Sequence, residues 1–147
     1  MTNLLLQENP KQDQLQNLSA VKFSAESLLA LLNDILDFSK IEAGKIQLVK
    51  EVINLKQIAE GLRSSFDLIA KNKGIVLVSE IDDHIPSNLI GDPIRINQVL
   101  TNLIGNALKF TEKGKISLSI KLAKDQKDSS IILFAISDTG IGIERDK

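Results

Sequence analysis

The stretch from Gln12 to Ala43 constrains this chain more than any other. Its apolar residues recur every three or four positions. Leu15, Leu18, Ala25, Leu29, Leu32 and Leu36 form one seam, and Val21, Leu28, Leu31, Ile35 and Phe38 lie beside it. That spacing predicts one long amphipathic helix, and Gly44, a favoured residue just past a helix end, stops it. At roughly 1.5 Å of rise per residue the helix would be on the order of 45 Å long, more than a small domain needs to cover its core. So long and wide a stripe predicts a helical bundle completed by a second chain, in preference to a helix buried within its own. Upstream, Thr2–Gln7 reads as the end of another helix. Glu8–Lys11 reads as a connection, because Pro10 lacks an amide donor and disfavours helix before it.

From Lys45 the pattern changes, which divides the chain into a helical part, residues 1–44, and an α/β part, residues 45–147. Ile46–Ile53 reads as a strand, Asn54 as a helix N-cap, and Leu55–Asn72 as an amphipathic helix closed by Gly74. Ile75–Ile81 is β-branched and apolar with poor alternation, which predicts a buried strand. Asp82–Gly91, containing Pro86, reads as a loop. Asp92-Pro93 then opens a helix reaching Phe110, with Gly114 ending the turn after it. Lys115–Ala123 and Ser130–Ser137 read as a strand pair joined by a polar turn.

Composition narrows the function classes. The hydrophobic fraction of 43% is that of a globular chain, and a net charge of −1 offers no basic field to draw nucleic acid. With no tryptophan, no tyrosine and five phenylalanines, the chain also lacks stacking platforms for single-stranded nucleic acid. The absence of cysteine excludes disulfides and thiolate metal sites. Leu4-Leu5-Leu6 is too short for a signal-peptide core or a membrane span, so this segment is expected to be soluble and to make no membrane contact.

Two clusters carry chemistry. On the helix 94–110, Asn102 and Asn106 lie four residues apart and Lys109 three further on, so they share a face, beside Val99, Leu103 and other apolar residues. Asparagine is a poor mid-helix residue because its side chain competes for backbone groups. An amide oxygen is a hard neutral ligand suited to Mg²⁺ bound with phosphates, and Lys109 would add a point charge for those phosphates. Taken alone, the pair also fits two solvent-facing amides on a surface helix. The second cluster is Asp138-x-Gly140-x-Gly142, directly after a strand. Glycines let a loop fold tightly around a flat ligand, and an ionised aspartate can accept a hydrogen bond from an exocyclic amino group such as that of adenine. Plain turns contain the same short pattern.

Together these motifs resemble a known family. Gly91–Thr111, with its core Asn102-Leu103-Ile104-Gly105-Asn106-Ala107-Leu108-Lys109-Phe110, looks like the N-box of the histidine-kinase ATP-binding domain. Ser137–Ile143 looks like that domain's first glycine box. Leu32–Lys45 is similar to the end of the second helix of a HisKA-type dimerisation hairpin, common in hybrid kinases. The resemblance covers essentially the whole chain and implies an α+β architecture: a helical hairpin followed by a GHKL-type α/β sandwich with helices on one face of a mixed sheet. It implies ATP and Mg²⁺ as cofactors, with Asn106 and Asn102 at the metal, Lys109 at phosphate, Asp138 at the adenine amino group, and Gly140 and Gly142 shaping the pocket floor. It further implies a homodimer through the hairpin, a response-regulator receiver domain as partner, and a cytoplasmic location, the parent protein being soluble or anchored in the inner membrane.

The resemblance also implies what lies elsewhere. The family's phospho-accepting histidine sits on the first hairpin helix, of which Met1–Gln7 looks like only the tail. No catalytic histidine is therefore expected in this chain. The sole histidine, His84, reads as an ordinary loop residue. The family's mobile lid, second glycine box and further strands would follow Lys147, so the chain is expected to be a fragment that binds nucleotide weakly, phosphorylates nothing alone and leaves a sheet edge unpaired. A GHKL ATPase of the gyrase or chaperone type would carry a glutamate base where Asn102 stands, and an amide cannot serve as that base. A non-catalytic dimerisation or nucleotide-binding module remains an alternative.

Overall fold

The computed structural model describes residues 11–126 and 129–142, in two compact units that meet between Gln47 and Leu48. In the first, helix α1 (Gln12–Glu42) begins where the Lys11 amide donates to the Gln14 side chain, and it ends two residues before Gly44. Its apolar side chains find little to cover them within the described unit. Val21, Phe23, Leu28, Leu29, Leu31, Ile35, Leu36, Phe38 and Ile41 are all more than half exposed. The expected helix over Thr2–Gln7 lies outside the described residues.

The second unit contains β1 (Glu51–Ile53), α2 (Leu55–Asn72), β2 (Ile75–Ile81), β3 (Leu89–Gly91), α3 (Pro93–Phe110), β4 (Gly114–Gln126) and β5 (Ser129–Asp138). The main sheet has the order β2-β4-β5, with β2 parallel to β4 and β5 antiparallel to it, so it is mixed. Helices α2 and α3 cover one face. Leu55, Ile58, Ala59 and Leu62 of α2 and Leu100, Ile104, Ala107 and Leu108 of α3 close on Ile116, Leu118 and Ile120 of β4. Alternation along β4 turns Ser117 and Ser119 to the other face, as a one-sided sheet requires. Among the described residues β5 is paired on one side only. Within the same residues no helix is long and apolar enough to cross a membrane.

Several expected boundaries need correction. The strand expected over Ile46–Ile53 is only Glu51–Ile53, because its partner β3 is equally short and the Val49 amide goes to the Asp92 carboxylate. The segment Asp82–Gly91 is not loop throughout, since Leu89–Gly91 pairs with β1. The polar stretch after Ala123 continues β4 as far as Gln126, the register absorbing Ala123 as a bulge between Leu122 and Lys124. Strand β2 is half-buried, with Val76 and Glu80 exposed, because among the described residues it borders only β4 and is covered on one face.

Asp92 fixes where α3 starts. Its Oδ1 accepts from the Ile94 and Arg95 amides at 3.1 and 3.0 Å, and its Oδ2 from the Val49 amide at 3.0 Å. The Arg95 and Val49 amides hold this carboxyl below its ordinary range, against the opposing effect of burial. In Asp82 the His84 amide and imidazole, with the Leu122 amide, do the same. A carboxylate with a depressed folded pKa stabilises the fold above its unfolded pKa and loses that contribution as pH falls through the folded value. The melting temperature should therefore fall as the chain is acidified below about pH 4, the ordinary aspartate range. Asp92→Asn, which can still cap the helix, should flatten that acid limb. Thermal melts of both chains between neutral and strongly acidic pH check this, and parallel curves would refute it.

Candidate functional site

Helix α3 has two faces of different character. Leu100, Ile104, Ala107 and Leu108 are buried against the sheet, while Asn102, Asn106 and Lys109 face outward. Val99 and Leu103, beside the amides, are about half exposed at 56% and 47%. The amides thus stand on an outer face that is partly apolar, an arrangement suited to a ligand with both flat apolar and charged parts. Neither side-chain amide makes a hydrogen bond to a described residue, whereas Asn97 spends its own on the Pro93 carbonyl at 3.0 Å. Lys109 holds its Nζ 5.3 Å from the centre of the Phe110 ring, a cation–π arrangement. The C-terminus of α3 is fastened from outside by Lys73, whose Nζ donates to the Leu108 carbonyl at 2.7 Å.

The loop after β5 packs directly on that C-terminus. The Ile141 amide donates to the Phe110 carbonyl at 3.4 Å, and the Thr139 amide to the Lys115 carbonyl at 3.2 Å. The Lys115 amide returns a bond to Thr139 Oγ1 at 3.1 Å. Gly140 lies so close to α3 that a Cβ there would stand 2.4 Å from the Phe110 carbonyl oxygen and 2.8 Å from Asp138 Oδ1. Its amide instead donates to Asp138 Oδ1 at 2.8 Å, turning the chain tightly around the carboxylate. Gly142 takes the left-handed φ of 69°.

Lys109, Asp138 and Gly140 are therefore gathered at one end of α3. Asn106 lies one helical turn further back, roughly 6 Å along the axis from Phe110, and Asn102 roughly 12 Å. Asp138 is exposed, and with Oδ1 occupied its Oδ2 has no hydrogen bond from any described residue. A hollow of about 330 Å³, lined by Ile53, Lys56, Ile81 and Asp83, is at the other end of the sheet. It touches none of these residues. Sequence reasoning did not single out Thr111, the C-cap of α3, whose fully buried side chain points its hydroxyl at Asp138 Oδ1, 3.5 Å away. A hydroxyl directly after the apolar end of an amphipathic helix was the available signal.

Residues 91–147 match the family described as histidine kinase-, DNA gyrase B-, and HSP90-like ATPase. The chain is 43% identical to hybrid signal transduction histidine kinase L of Dictyostelium discoideum, over 99% of this chain and 8% of that protein. It is 40% identical to signal transduction histidine-protein kinase BarA of Escherichia coli K12, over 99% of this chain and 16% of that protein. Among solved structures, full-length ShkA in complex with AMPPNP superposes with a TM-score of 0.77 at 28% identity, over 99% of this chain and 30% of that one. The chain carries a histidine kinase-type ATPase domain. Its second unit has the GHKL-type ATPase fold of histidine kinases, and the similarity to the kinase relatives extends over the long helix α1 as well. This kinase segment spans less than a fifth of the length of either curated relative.

Proposed function

We propose that the second unit is the nucleotide-binding part of a sensor histidine kinase, and that it binds ATP with Mg²⁺ on the outer face of α3. The observation that carries this reading is the packing of the Asp138–Gly140 loop on the C-terminus of α3. It puts an unshared carboxylate oxygen at the end of a row formed by Lys109, Asn106 and Asn102. In this arrangement Asp138 Oδ2 accepts from the exocyclic amino group of adenine, while Gly140 and Gly142 line the floor beneath the base. The triphosphate runs back along α3, where Lys109 leaves the Phe110 ring to meet phosphate. Asn106 and Asn102 present amide oxygens to the metal. The described residues contain no cluster of three His, Cys, Asp or Glu side chains that could hold a cation unaided. That donor set fits Mg²⁺, which keeps phosphate oxygens and water among its ligands. When bound, the cation would neutralise charge developing on the phosphates during phosphoryl transfer.

In the protein that contains this segment, the γ-phosphoryl group passes to a histidine nitrogen and then to an aspartate of a response-regulator receiver domain. The first of these steps is supported by the names of the relatives, which are signal transduction histidine kinases. A second copy of the chain covers the exposed apolar side chains of α1, forming a homodimer of helical hairpins. The nucleotide reading is tested on the chain itself. ATP with Mg²⁺ should raise its melting temperature through mass action, and less so without the metal. Asp138→Ala should weaken binding on the order of tenfold or more, the range for a hydrogen bond to a charged group. No shift with the parent chain, or an equal shift with the variant, would remove the reading.

A further inference from the structure

Thr111 has no place among the residues assigned to the nucleotide, yet its position is unusual. Its side chain is fully buried at the point where α3 ends, among the apolar residues that seat the helix. A buried hydroxyl needs a partner, and the described residues leave no buried side-chain polar atom unpaired. The partner of this one is Asp138 Oδ1, at 3.5 Å. The same oxygen accepts the Gly140 amide at 2.8 Å. One carboxylate oxygen is therefore held by two donors from within the protein, one from below and one from its own loop. The other oxygen is left to a ligand.

We propose that Thr111 is a positioning residue for base recognition: its buried hydroxyl anchors Oδ1 of Asp138 and so turns Oδ2 toward the exocyclic amino group of the bound purine. The inference rests on the nucleotide reading above and adds how the carboxylate is oriented. A carboxylate rotates freely about its last side-chain bond unless one oxygen is held, and each orientation excluded beforehand is entropy that binding need not remove. The contact is long for an O–H···O bond, so the Gly140 amide carries more of the orientation and the hydroxyl a smaller share.

The full chain decides the matter, with Kd values for ATP and inosine triphosphate, both with Mg²⁺, measured by NMR titration. Inosine triphosphate carries an oxygen where ATP carries the amino group. Thr111→Val, nearly the same shape without the hydroxyl, should weaken ATP about threefold to tenfold and leave inosine triphosphate unchanged. Thr111→Ser, which keeps the hydroxyl, should restore ATP affinity. The proposal falls if valine leaves ATP affinity intact, if both nucleotides weaken equally as a packing defect would make them, or if serine fails as valine does. If Asp138→Ala weakens ATP while Thr111→Val does not, only the positioning role is lost. If the parent binds neither nucleotide, the nucleotide reading fails and this inference fails with it.

Discussion

Gly140→Ala is expected to lower the melting temperature of the second unit by roughly ten degrees and to abolish the ATP-dependent shift. The cause is steric. A Cβ at this position would lie 2.4 Å from the Phe110 carbonyl oxygen and 3.0 Å from its carbon, both backbone atoms at the end of a helix. That backbone cannot move aside without disturbing the Ala107–Thr111 bond that closes α3, or the Ile141–Phe110 bond that holds the loop to it. Relief must come from the loop, which would carry the Gly140 amide away from Asp138 Oδ1. Forcing extra atoms into a packed place costs about 1–3 kcal/mol, and each kcal/mol moves a domain of this size by about 4–8 °C. Gly142→Ala is the informative control. A Cβ there would meet nothing within 4 Å, so only the strain of a left-handed alanine applies, about 1 kcal/mol. Calorimetry and ATP titration of the two variants should separate them. Equal melting temperatures would show that the close approach at Phe110 does not matter.

Much of this arrangement is legible in the residues. Asn54 and Asp92 announce two helices because their side chains can satisfy amides that a helix start leaves open, and both do so. The spacing of Leu55, Ile58, Ala59 and Leu62, and of Leu100, Ile104 and Leu108, marks the buried stripes of α2 and α3. Asp138 and Gly140 are recognisable because a carboxylate followed by a glycine two residues on is a local pattern, and their mutual bond is local too. What the residues hide is non-local. Strands β1 and β3 are three residues each, too short to show a period, and they exist because they pair with each other although helix α2 and strand β2 lie between them in the chain. The Asp92–Val49 and Thr111–Asp138 bonds join positions 43 and 27 residues apart. No spacing rule within one element could have revealed them. The same holds for Lys73, a surface cation by sequence that closes the end of a different helix.

Ile104→Ala should destabilise the second unit by about 2–5 kcal/mol, a fall in melting temperature of roughly 10 °C or more. Ile104 is 1% exposed and sits in the middle of the stripe by which α3 rests on Ile116, Leu118 and Ile120. Removing its branches leaves a void between a helix and a sheet that cannot close on it, because Leu100 and Leu108 on either side are held at their own depth. Asn106→Ala, two residues further along and on the opposite face, should stay within about 0.5 kcal/mol of the parent. Its amide bonds to no described residue, and alanine is the better helix former. Chemical denaturation of both variants, with ATP binding measured below their melting temperatures, should then give opposite patterns: Ile104→Ala much less stable but binding nucleotide while folded, Asn106→Ala stable but impaired in Mg²⁺-dependent binding. If Asn106→Ala also lost stability, its amide would be holding the helix in place, and the outer face of α3 would lose its claim to be a ligand surface. A helix whose inner face sets stability and whose outer face sets affinity can change its ligand contacts without being unseated. The three- and four-residue spacings of α3 allow this by keeping the two sets of side chains on separate sides.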